Sequence, residues 1–266
     1  MAATKVELTV PARINILGNP GDGNEGDFST ISAAIDLRAG ATVEPADGLV
    51  FESIQENGVD GSRSVTYGRE DRPLPYDGRL DLLKAGFNVL HAYSEELRSK
   101  CRQQGCRISV WTDVPAQSGL GGSSLFVLLT MAGLREFYEL DRRAHNDYVL
   151  AELGQQAEAK ELGITCGFAD RYVPLFGGLA YIDYRGKLAQ RGLGAEPLAT
   201  YERLDRLVEP LPLVLISSGV ERDSGDVHGR MRPRYLQEDS DWLDRRQGMP
   251  AMVGFMSGAW ETAWRG

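Results

Sequence analysis

The chain has 266 residues, 42% hydrophobic and 25% charged, enough to bury a sizeable core as one large domain or two small ones. A net charge of −9 without a basic stripe argues against nucleic acid as the main partner, while leaving room for a small anion held by local arginines. No uncharged apolar run is long enough to span a bilayer, the first seven residues lack a secretory pattern, and Cys101, Cys106 and Cys166 show no metal-like spacing, so a cytoplasmic setting is expected.

In chain order, residues 5–17 read as a strand, with Pro11 marking an edge or a bend. Residues 27–35 are expected to be helical or turn-like, and 41–54 to form two strands joined at Asp47-Gly48. The Gly-, Asp-, Arg- and Pro-rich stretch 58–78 reads as a surface hairpin or loop. Leu82, Leu83, Phe87, Leu90, Tyr93 and Leu97 recur at helical spacing and predict a helix over 80–104. A strand over 107–114 leads through a Gly-rich loop into an apolar helix containing 125–134, and a second long helix is expected over 142–162. Strands follow over 178–184 and 211–217, separated by the polar stretch 186–209. That stretch suggests a boundary between domains 1–190 and 191–266. Near the end, the Met and aromatic residues of 249–264 have the spacing of a packed helix, and His91, His145 and His228 read as core or surface histidines. Irregular alternation of strands and helices indicates an α+β class.

The densest chemical signal is Pro115-Ala116-Gln117-Ser118-Gly119-Leu120-Gly121-Gly122-Ser123-Ser124. Small residues let a polyanion approach the backbone, and the following helix offers unpaired N–H groups and the positive end of its dipole. Ser123 and Ser124 add hydroxyls for phosphate or a cation. No Lys or Arg lies between Pro115 and Leu134, so this is not a P-loop. The bland alternative is a Gly/Ser turn capping a buried helix.

Gly21-Asp22-Gly23-Asn24-Glu25-Gly26, with Glu44 beyond it, fits the spacing of a dinucleotide fingerprint. Asp22, Glu25 and Asp27 would then face a pyrophosphate with like charge, which weighs against it. Asp170 lies between Phe168 and Tyr172 in an otherwise apolar stretch, where burial demands a partner; Arg171 and Arg13 are the candidates. Arg230, Arg232 and Arg234 form a cluster whose guanidinium forks suit carboxylate or phosphate, or else a solvated basic helix start.

The 115–124 segment resembles the second motif of the GHMP kinases, the family of galactokinase, homoserine kinase, mevalonate kinase and phosphomevalonate kinase, with Gly122 in place of the first serine and Leu125 where alanine is common. The Gly-Leu-x-Gly-Ser-Ser variant is similar to plant-type glucuronokinases, and Leu125-Phe126-Val127 to mannoheptose-phosphate kinases. Pro11 to Asp22 resembles the first family motif, Glu158 to Arg171 followed by Gly177-Gly178 the metal-and-base segment, and Asp223 to Tyr235 a glucuronokinase segment. The family's third, Gly-rich motif has no counterpart after Gly229.

The resemblance implies an N-terminal half like ribosomal protein S5 domain 2 and a shortened ferredoxin-like C-terminal half. It implies ATP-dependent phosphorylation of a sugar hydroxyl, the anomeric one of a uronic acid such as glucuronate. A heptose phosphate or another sugar is the rival substrate, and a non-catalytic nucleotide or sugar binder the rival class. By that match ATP sits on Pro115, Gly119, Leu120, Gly121, Gly122, Ser123 and Ser124. Mg²⁺ sits on Glu158 with Ser123 or Ser124. Asp170 is the base and Arg13 neutralises charge near the transferred phosphoryl group. Asn19, Asp22, Arg171, Arg230, Arg232 and Arg234 contact the sugar.

Overall fold

A computed structural model describes residues 5–18, 29–54, 63–164, 166–184, 198–209 and 211–216. These build one sheet covered on one face by helices. The strands are β1 (Val6–Leu17), β2 (Ser29–Ala46), β3 (Leu49–Ser53), β4 (Arg63–Tyr67), β5 (Gly105–Thr112), β6 (Leu179–Asp183) and β7 (Thr200–Arg203). The helices are α1 (Asp81–Tyr93), α2 (Glu95–Gln103), α3 (Gly122–Phe137), α4 (Asp147–Gln156) and α5 (Ala169–Phe176), with a π-helical turn at Ala157–Glu161.

The long strand β2 organises the sheet. One of its edges takes β1 antiparallel over most of its length, while the other is shared, with β6 along residues 29–33 and β5 along residues 39–46. β3 joins β5 in parallel and carries β4, and β7 extends β6. Residues from 29 onward are therefore strand, not the helix or turn expected over 27–35. The physical reason is period-two alternation: buried Thr30 and Ser32 face one side, and the half-buried Ile31 the other, with a partner strand on each edge. β7 comes from beyond the boundary expected at residue 190, yet it pairs in the same sheet.

α3 lies on β1 and β2 and against α1. Its Leu125, Leu128, Leu129 and Leu134 are fully buried, each contributing about 1.5–3 kcal/mol relative to exposure. A β-carbon at Gly133 would meet Val43 Cγ2 at 2.7 Å, so only glycine lets α3 approach β2 this closely. The helix expected over 80–104 is two helices. Ser94 ends α1 and caps α2, its side chain accepting from the Leu97 N–H at 3.0 Å. The helix expected from 142 begins at Asp147, because Asn146 accepts from the Val149 N–H at 3.1 Å and fixes the start. Residues 211–216 form no strand: the Leu213 N–H turns back onto the Leu211 carbonyl at 2.8 Å, which is incompatible with an extended ladder. Residue 217 and the stretch 249–264 lie outside the described residues. No helix among the described residues is long and apolar enough to cross a membrane.

Candidate active site

The loop between β5 and α3 has the properties that an anion needs. Residues 115–119 are exposed, and Leu120 anchors the loop by turning inward. Gly121 adopts φ 78°, a left-handed conformation that a side chain would strain, and it starts α3 without a side-chain cap. The first turn of α3 carries no acidic residue. Its leading N–H groups and positive dipole end therefore face the loop without a side-chain acceptor from the cap position.

Arg13 ties this loop to two distant segments. The register of β1 against β2 shifts between Pro11 and Arg13, so the consecutive residues Ala12 and Arg13 are both buried, as a bulge allows. Arg13 Nη1 donates to the Gly119 carbonyl at 2.7 Å, and its backbone N–H donates to the Leu120 carbonyl at 3.4 Å. Arg13 Nε donates to Asp170 Oδ1 at 2.5 Å, with Nη2 also touching that oxygen. Arg13 is thus the partner that burial of Asp170 requires. Asp170 stands in the first turn of α5 with its side chain 17% exposed, close to the surface yet held.

Glu158 is fully buried on the π-helical turn, a local widening that re-aims side chains and recurs at functional sites. Ser123 Oγ donates to Glu158 Oε1 at 3.1 Å and Ser124 Oγ to Oε2 at 2.8 Å. Arg171, also fully buried, donates from Nε to Glu158 Oε2 at 2.9 Å, contacts the same oxygen through Nη2, and donates from Nη1 to the Gly167 carbonyl. Burial pulls the Arg171 guanidinium down, but the Glu158 carboxylate, helped by Cys166 and Asp170, drives it well above the usual arginine range. Arg171 was expected to grip substrate. Its fork is spent on Glu158 and Gly167, so it supports the site from behind. Burial pushes the neighbouring Cys166 thiol up to about 11, which keeps it protonated and unreactive.

The cluster is charge-balanced, two arginines against two carboxylates. The exposed Ser123 hydroxyl and Glu158 Oε1 beneath it are hard oxygen donors suited to Mg²⁺. Among the described residues no three or more His, Cys, Asp or Glu side chains gather as a metal cage, so a cation here would depend on phosphate oxygens for the rest of its shell. Asn19, Asp22, Arg230, Arg232 and Arg234 lie outside the described residues.

Two features escaped sequence reasoning. Ser32 Oγ donates to Asn15 Oδ1 at 2.7 Å and approaches Thr30 Oγ1 at 3.3 Å, and Thr30 meets the Tyr184 hydroxyl at 3.2 Å. This polar row starts two residues beyond Arg13, and the alternation Thr30, Ser32 was its signal. Beyond the loop, a cavity of about 440 Å³ is lined by Leu80, Leu83, Val110, Phe126, Leu162 and Ile164. The Tyr76 hydroxyl, donating to Glu161 Oε2 at 2.9 Å, fastens the segment before α1 to the π-helical turn beside that cavity.

Residues 82–178 match the family described as GHMP kinases N terminal domain. Glucuronokinase 1 of Arabidopsis thaliana is 32% identical over 90% of this chain and 64% of its own length. D-glycero-alpha-D-manno-heptose 7-phosphate kinase of Campylobacter jejuni is 26% identical over 67% of this chain and 50% of its own. The crystal structure of Lactococcus lactis galactokinase with galactose superposes with a TM-score of 0.58 at 20% identity, over 76% of this chain and 47% of that one. The chain therefore spans under two thirds of the length of these relatives. These matches make residues 82–178 a GHMP kinase N-terminal domain, and Arg13, the 119–124 loop, Glu158 and Asp170 gather at and around its α3 start.

Proposed function

We propose that this protein is an ATP-dependent sugar kinase that phosphorylates the anomeric hydroxyl of a uronic acid such as glucuronate. The observation that carries the reading is that Arg13 holds Asp170 at the loop whose helix start also carries the Ser123–Glu158 pair. In this reading the triphosphate lies along residues 119–124 under the α3 N-terminus, and the purine enters the apolar cavity one helical turn past Ser123. Mg²⁺, when bound at Ser123 and Glu158, supplies charge neutralisation for the β- and γ-phosphates. Asp170 accepts the proton of the attacking hydroxyl. Arg13 orients that carboxylate and offers positive charge where the phosphoryl group passes. Asn19, Asp22 and the Arg230, Arg232 and Arg234 cluster are assigned to the sugar. The described strands β1 to β6 and the helices belong, in this reading, to an N-terminal half like ribosomal protein S5 domain 2, spanning 1–190, with β7 added to its sheet from beyond that boundary. A ferredoxin-like half begins in 191–266.

The Arabidopsis glucuronokinase relative supports the uronate, and the Campylobacter relative supports a heptose phosphate as second reading. ADP release from Mg-ATP with glucuronate, neutral hexoses and heptose phosphates tests both, alongside thermal shift. Glucuronate-dependent ADP release is the expected result. Stabilisation by Mg-ATP without turnover of any sugar would leave a nucleotide binder and overturn the kinase reading.

A further inference from the structure

We propose that Arg171 and Ser124 clamp Glu158 so that it offers a cation one oxygen only, and that this clamp sets the site's preference for Mg²⁺ over larger ions such as Ca²⁺. The proposal rests on the phosphoryl-transfer reading above. A carboxylate has about four lone-pair sites in all, two per oxygen. Glu158 Oε2 already accepts from Ser124 Oγ at 2.8 Å and Arg171 Nε at 2.9 Å, and touches Arg171 Nη2. Oε1 accepts from Ser123 Oγ at 3.1 Å, which leaves it a free lone pair. The partners of the two oxygens differ in access as well. Glu158 itself is buried, and so are Arg171, at 0% exposed, and Ser124, at 1%, whereas Ser123, the partner of Oε1, is exposed, so Oε1 is separated from solvent by one exposed hydroxyl.

The clamp is itself held. Arg171 Nη1 donates to the Gly167 carbonyl, and its aliphatic stem packs beside Gly154, where a β-carbon would lie 3.4 Å from Arg171 Cγ. Mg²⁺ takes single oxygens at about 2.0–2.1 Å in a near-octahedral shell, while Ca²⁺ accepts both oxygens of a carboxylate at about 2.3–2.6 Å. Capping Oε2 removes the two-oxygen mode and penalises the larger ion. It also separates the two serines, with Ser123 facing the cation and Ser124 belonging to the clamp. Arg171 is a positioning residue that never touches the cation.

The test uses the full chain with a non-hydrolysable ATP analogue, titrated with Mg²⁺ and Ca²⁺ by calorimetry. A lysine holds Oε2 through one ammonium where arginine used a planar fork. Arg171→Lys should therefore lower the Mg²⁺/Ca²⁺ affinity ratio by about tenfold, within the range that outer-shell changes produce. Ser124→Ala, which keeps the ion pair and the fold, should lower the ratio in the same direction by a smaller factor. Ser123→Ala should weaken both ions alike. An unchanged ratio in Arg171→Lys overturns the clamp; if that variant does not fold, an unchanged ratio in Ser124→Ala does so. Wild-type protein that binds the analogue equally with and without divalent ions overturns the parent reading, a different result from loss of selectivity alone.

Discussion

Arg13 Nε donates to Asp170 Oδ1 at 2.5 Å although 157 positions separate the two residues in the chain. The contact joins the bulge of β1 to the first turn of α5 across the Gly119 carbonyl, which Arg13 also holds at 2.7 Å. Asp170→Asn keeps an oxygen to accept from Arg13 but loses the capacity to take a proton. The fold and nucleotide-induced stabilisation should survive, and turnover should fall by about 10²–10⁴-fold, the usual contribution of a general base. Near-normal kcat in a folded Asp170→Asn protein would reduce the contact to a structural ion pair.

The Glu158–Arg171 pair is buried on both sides, so removing one partner strands a charge. Glu158→Gln and Arg171→Met should each destabilise the protein by roughly 3–5 kcal/mol, and the double variant by clearly less than the sum. Urea unfolding of the four proteins measures this. Strictly additive losses would show that the two groups do not act as a pair.

His91 gives the protein an acid-side weakness. Burial, and then Arg72, Arg98 and Arg102, lower its imidazole from the ordinary 6.5 to about 4. Protonation is therefore harder in the folded than in the unfolded chain. Between pH 6.5 and 4 the unfolded state binds more protons, and stability falls as pH falls; above pH 6.5 both states are neutral and the contribution vanishes. His91→Gln should flatten the dependence of the urea midpoint on pH in that window and leave the midpoint slope above pH 7 unaltered. An identical acid slope in wild type and variant removes His91 as the cause.

Local chemistry was legible in the chain where it was short-range. The loop 115–124 announced itself by composition, and burial logic correctly demanded a partner for Asp170. Residues 29–35 were misread because their small residues, Ser29, Ser32, Ala33 and Ala34, carry weak propensity, and only pairing with β1 and β6 decides for strand. The direction of Arg171 was hidden for a related reason. Its neighbour Asp170 turns toward Arg13, while Arg171, one residue and about 100° further round α5, turns inward to Glu158. No sequence spacing distinguishes those two directions until α5 is placed on the sheet.

Under the proposed uronate reading, the expected substrate preference depends on where Arg171 points. With its fork engaged at Glu158, the arginines left to hold a uronate carboxylate are Arg230, Arg232 and Arg234. A neutral sugar of the same ring shape would leave a guanidinium unpaired, a penalty of about 1–3 kcal/mol. Glucuronate should therefore exceed glucose and galactose by about one to two powers of ten in kcat/KM. Replacing the responsible arginine by Met should lower turnover of glucuronate and narrow the gap to the neutral hexoses, whereas Arg171→Lys should leave the gap unchanged while shifting the cation preference. Equal turnover of a neutral hexose, or faster turnover of a heptose phosphate, refutes the uronate assignment and leaves the proposed kinase reading standing.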